Sequence, residues 1–108
     1  MAESELNEIL NAYIDRIVTF IIPKEILLYG SMSRGNAHEG SDIDVAVIVD
    51  EAAIKATGLN YLQISAELYR LCEDIDWRIE PILLEENKDP SGFLAQIKNS
   101  GRVLYKAA

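Results

Sequence analysis

Asp42-Ile43-Asp44 opens a run that continues Val45-Ala46-Val47-Ile48-Val49, and nothing else in the sequence constrains the fold as tightly. The apolar body of that run predicts a strand, Asp42 to Val49, headed into a core. Side chains alternate along a strand, so the two carboxylates share a face. An unpaired carboxylate at the head of a buried strand is expensive, and two of them repel each other unless a cation lies between. Hard oxygen ligands at this spacing suit Mg2+, which takes one or two carboxylates and completes its shell with waters and substrate phosphates. Just upstream, Ile26-Leu27-Leu28-Tyr29 is a short continuous apolar run that reads as a buried strand. It feeds directly into Gly30-Ser31, where backbone N–H groups and a hydroxyl offer the donors a phosphate needs. Taken alone, Gly30 and Gly35 would be ordinary turn glycines. Beside Ser31 and the acidic pair they point to a site for a metal-bound nucleoside triphosphate. A calcium loop is excluded, because the chain continues into apolar residues where such a loop needs further oxygen ligands and a glycine.

The flanking segments predict helices around this centre. Leu6, Ile9, Leu10, Tyr13, Ile14, Ile17, Val18 and Ile21 recur at amphipathic-helix spacing, and Pro23 stops that helix. Ser31 to Ala37 is expected to form a short helix, followed by a loop at His38-Glu39-Gly40. Asn60 and Gln63 match a capping box and Leu59 with Ile64 a hydrophobic staple. The helix they open has an expected stripe of Leu62, Ala66, Tyr69 and Cys72, widened by Leu68, Leu71 and Ile75. Asp76 to Leu84 reads as a strand with Asp76, Arg78, Glu80, Ile82 and Leu84 on one face and Trp77, Ile79 and Leu83 on the other. Pro81 within it implies a sheet edge or a bulge. Asp89-Pro90 opens a last helix ending near Gly101. The alternation describes an α/β sandwich with a small mixed sheet and flanking helices, in which residues 1–108 form a single domain.

Charge narrows the partners. Ten basic and eighteen acidic residues give a net charge of −8, whereas proteins that grip nucleic-acid backbones are normally basic. Nucleic acid is therefore disfavoured as the main partner. Cys72 is the single cysteine, so no internal disulfide or zinc motif exists, and its helical setting predicts a buried structural thiol. Glu3, Glu5 and Glu8 stand where a secretory signal would carry lysine or arginine, and no apolar run reaches the ~18 residues of a membrane span. A cytoplasmic location is expected. His38 reads as a surface loop residue, and Trp77 as core or partner surface. The sequence leaves homo- or hetero-oligomerisation open.

Gly30-Ser31-Met32-Ser33-Arg34-Gly35 followed by Ser41-Asp42-Ile43-Asp44 resembles the signature of the polymerase-beta-like nucleotidyltransferase superfamily. The short form is similar to its minimal branch, the MNT-type domains, as is the closing segment Phe93 to Tyr105. Ser33 departs from the alanine often found there, a change small enough to fit. The resemblance implies the polymerase-beta-like nucleotidyltransferase fold and an adenylyltransferase using ATP with Mg2+, two ions being expected. It implies metal-binding and catalytic roles for Asp42 and Asp44, and a third carboxylate on a later strand. Ile79-Glu80-Pro81 is similar to the pattern around that third acid, so Glu80 is the candidate for metal binding and catalysis, with Asp76 as competitor. Gly30, Ser31, Arg34 and Gly35 are the candidate nucleotide-binding residues, with Ser41 in support. The resemblance further implies an antitoxin whose partner is a HEPN-domain toxin, modified on a hydroxyl, in particular a tyrosine. A non-catalytic antitoxin that neutralises its partner by binding is the alternative.

Overall fold

Leu6, Leu10, Tyr13 and Ile17, spaced by four, three and four residues, are the buried positions of the first helix, α1 (Glu3–Phe20). That spacing gives one apolar face, and the helix stops ahead of Pro23 as expected. The computed structural model describes residues 2–30 and 42–107. After α1 come β1 (Glu25–Tyr29), β2 (Ile43–Val49), α2 (Glu51–Thr57), α3 (Tyr61–Arg70), β3 (Ile79–Glu85), α4 (Phe93–Ser100) and β4 (Arg102–Lys106). The strands form one four-stranded sheet in the order β3-β2-β1-β4. β1 runs antiparallel to both β2 and β4, and β2 runs parallel to β3, so the sheet is mixed as expected. Pro81 lies in β3, which is an edge strand. There its missing N–H removes no bond from the interior of the ladder.

Strand alternation sorts the core onto two faces. Ile26, Leu28, Ile43, Val45, Val47, Val49, Ile79 and Leu83 pack with α1 and α3. Leu27, Ala46 and Ile48 pack on the other face against Leu94 and Ile97 of α4. Asp44 therefore belongs to the α4 face, in line with Ala46 and Ile48. Among the described residues no helix is long and apolar enough to cross a membrane.

The helix caps follow the local chemistry. In α3, Gln63 N donates to Asn60 Oδ1 at 2.8 Å and Asn60 N donates to Gln63 Oε1 at 2.9 Å, a complete capping box. Leu94 N and Ala95 N both donate to Asp89, at 2.8 and 3.0 Å, so Asp89 satisfies the first turn of α4 from outside it.

Four expectations need correction. The buried face of α3 is Ile64 and Leu68, continued by Cys72 in the following turn, while Leu62 is 76% exposed and Tyr69 46%. The expected stripe was thus rotated, because the widest apolar arc of the sequence is not the arc that meets the sheet. The helix also ends at Arg70, and residues 71–75 are turns. The strand expected from Asp76 to Leu84 runs from Ile79 to Glu85, so Trp77 lies in the turn before it, 76% exposed and outside the core. Finally, α2 and β4 were not anticipated. Cys72 is buried as expected, and burial pushes its thiol pKa up, away from reactivity.

Candidate active site

Register brings the acids together. Asp44 on β2 faces Tyr29 on antiparallel β1 and Glu80 on parallel β3 as direct partners. Partners on adjacent strands lie about 5 Å apart and point to the same face, so Tyr29, Asp44 and Glu80 form a row across three strands. Asp42, exposed, stands just before β2 at the same end of the sheet. Glu80 is exposed as well, and Tyr69 Oη donates to its Oε2 at 3.2 Å.

The row is electrostatically loaded. Burial first, then the charges of Asp42 and Glu80, push the Asp44 carboxyl above its ordinary range. Tyr29 is pushed up to about 12 by burial, then by Asp44, Tyr69 and Glu80. Tyr69 is raised by burial and by its bond to Glu80. Neighbouring carboxylates add to burial in all three shifts, so the row carries negative potential. Carboxylate oxygens in this arrangement are the donors Mg2+ takes. Among the described residues no three carboxylate, imidazole or thiolate groups are gathered into one coordination shell.

Gly30 has φ +75°, and a Cβ built on it would lie 2.4 Å from Asp44 Oδ2. The left-handed backbone favours glycine, and a methyl here would push the Asp44 carboxylate aside. Gly30→Ala is expected to cost about 1–2 kcal/mol in backbone strain. It should also weaken Mg2+-dependent nucleotide binding by at least about tenfold, because the methyl displaces the Asp44 carboxylate. Melting curves and calorimetric titration check both. Wild-type nucleotide affinity in this variant would show that the contact does not place the carboxylate.

Asp76 is engaged elsewhere. Arg78 clamps it through Nε and Nη2 at 2.9 and 2.7 Å, and the Arg78 backbone N donates to it at 2.9 Å. The guanidinium holds the Asp76 carboxyl below the usual range. Both side chains are only 11% exposed, and Arg78 O receives Ile43 N at 2.8 Å. The pair braces the entry of β3 against β2. Ser31, Arg34, Gly35 and Ser41, with the short helix expected from Ser31 to Ala37 and the loop residue His38, lie outside the described residues. Tyr29 and Tyr69 were not singled out for the site from the sequence. Tyr29 carried a signal in preceding Gly30, whereas Tyr69 joins the row only through contacts between α3 and β3.

A family model described as "Polymerase beta, Nucleotidyltransferase" matches residues 5–108, and the chain belongs to that family. In fold it is similar to a Sulfolobus solfataricus protein provisionally described as a nucleotidyltransferase. The TM-score is 0.62 at 18% identity, over 98% of this chain and 90% of that one. Weaker likenesses join it to a toxin–antitoxin structure with AMP-PNP (TM-score 0.46, 23% identity) and to a mutant of the toxin–antitoxin MntA-HpeT (0.44, 21%). Each covers 99% of this chain and 75% of that chain, with scores too low to assert a shared architecture. No curated protein is similar enough in sequence to count as a relative.

Proposed function

We propose that residues 1–108 act as one Mg2+-dependent adenylyltransferase domain that moves AMP from ATP to a hydroxyl of a HEPN-type toxin, in particular a tyrosine, and so serves as its antitoxin in the cytoplasm. The observation that carries the enzymatic part is the Asp44–Glu80 register, with Gly30 against Asp44. The toxin partner rests on the sequence resemblance to MNT-type domains.

Asp42 and Asp44 would hold the metal on the triphosphate side, with Glu80 contributing to a second ion. When bound, Mg2+ neutralises the charge of the triphosphate and of the departing pyrophosphate. The Gly30-Ser31 turn is read as the phosphate cradle, with Arg34, Gly35 and Ser41 in support. Glu80, exposed at the edge strand, accepts the proton of the incoming hydroxyl. The hydroxyl oxygen bonds to the α-phosphorus, the bond to the β-phosphate oxygen breaks, and pyrophosphate leaves.

Mixing the protein and its toxin with ATP and Mg2+ should add one or more adenylyl groups to the toxin by intact mass. The Asp42→Asn/Asp44→Asn double variant should add none. Exposed Ile22, Leu62 and Trp77 favour a second reading, neutralisation by binding alone. A toxin left unmodified yet silenced equally by wild type and double variant would establish occlusion instead.

A further inference from the structure

We propose that Tyr69 is itself an adenylyl acceptor, so that the domain modifies its own chain when no partner hydroxyl is presented; this rests on the nucleotidyltransferase reading above. Helix α3 lays two tyrosines across the edge strand β3. Tyr61 Oη donates to the Leu83 carbonyl at 2.5 Å, a bond that ties helix to strand. Tyr69 Oη instead donates to the Glu80 carboxylate at 3.2 Å, the group assigned to take the acceptor's proton. A hydroxyl on a carbonyl has nowhere to pass its proton, while one on a carboxylate has.

Among the described residues, Tyr69 is the tyrosine whose hydroxyl is hydrogen-bonded to a carboxylate, and the others differ in burial or place. Tyr13 is fully buried and donates to Leu68 O at 2.7 Å. The Tyr29 ring is half-buried and stacked edge-on against Phe93 at 5.8 Å. Tyr105 lies on β4, the edge of the sheet opposite β3. Tyr69 is 46% exposed. With Cys72, Glu73 and Trp77 it lines a groove of about 260 Å³ beside Glu80.

In the proposed step Tyr69 Oη bonds to the α-phosphorus of ATP and its proton passes to the Glu80 carboxylate. The bond from that phosphorus to the bridging oxygen breaks, and pyrophosphate departs. The products are a tyrosyl-AMP ester and pyrophosphate, so no oxidant or further reactant is needed.

The purified chain incubated with ATP and Mg2+ should gain the mass of one adenylyl group, and peptide mapping should place it on Tyr69. Tyr69→Phe and Glu80→Gln should fall to background labelling, while Tyr61→Phe labels like wild type. Calorimetry of Mg2+-ATP on the same preparations separates the possible failures. A chain that binds Mg2+-ATP but stays unmodified, or carries its label elsewhere, overturns the assignment of Tyr69 and leaves the nucleotide reading standing. A chain that does not bind Mg2+-ATP overturns both.

Discussion

Asp44→Asn is expected to bind Mg2+-ATP at least about a hundredfold more weakly than wild type, because on the proposed function it removes a metal ligand rather than a supporting contact. The same change should leave the fold intact and raise its melting temperature at neutral pH. Asp44 is held close to Asp42 and Glu80, and its carboxyl is raised above the ordinary carboxylate range by burial and by those two charges. A raised carboxyl binds its proton more tightly in the folded state than in the unfolded one. Its contribution to stability is therefore favourable at low pH and is lost as pH rises through the raised value. Asparagine has no such titration, so the gap in melting temperature should widen from about pH 4 upward. Melting curves across that range, with calorimetry at neutral pH, check both halves. A variant less stable than wild type at neutral pH would mean that Asp44 serves the fold, and retained metal-dependent affinity would remove it from the site.

Glu80→Gln is expected to separate binding from chemistry. Glu80 is exposed and makes no contribution to the core. Its bond from Tyr69 can be kept by the amide oxygen of glutamine, so stability should change by less than about 0.5 kcal/mol. Loss of a proton acceptor at the reacting hydroxyl typically lowers turnover by about 10²–10⁴-fold. Nucleotide affinity should stay within a few-fold, since Asp42 and Asp44 remain. Single-turnover transfer assays beside calorimetric titration measure the split. A Glu80→Gln enzyme with the wild-type rate would deny this carboxylate its role.

Much of this architecture was legible because the signals are local. The four-three-four spacing of Leu6, Leu10, Tyr13 and Ile17 fixes α1. Asn60 and Gln63 satisfy each other's backbone within one turn, and Pro81 cannot sit in the interior of a sheet. The missed helix α2 also had local marks that the hydrophobic pattern overshadowed. Asp50 accepts Ala53 N at 2.8 Å, and Gly58 ends the helix with φ +72°. β4 had no such marks: Arg102–Lys106 is polar at both ends and becomes a strand by pairing with β1.

The sequence by itself determined the acidic pair, the glycine before it and the restriction of Pro81 to a sheet edge or a bulge, since each depends on neighbours within a few residues. The resemblance also put forward Glu80, with Asp76 as competitor, for a third acid. The different surroundings of those two are tertiary. Parallel pairing of β2 with β3 puts Glu80 opposite Asp44, while Arg78 folds back onto Asp76. Register between distant strands and the face a helix presents are settled by packing over the whole sheet, which no local pattern encodes. For the same reason Tyr69, expected in a buried stripe, lies in the open with its hydroxyl on Glu80.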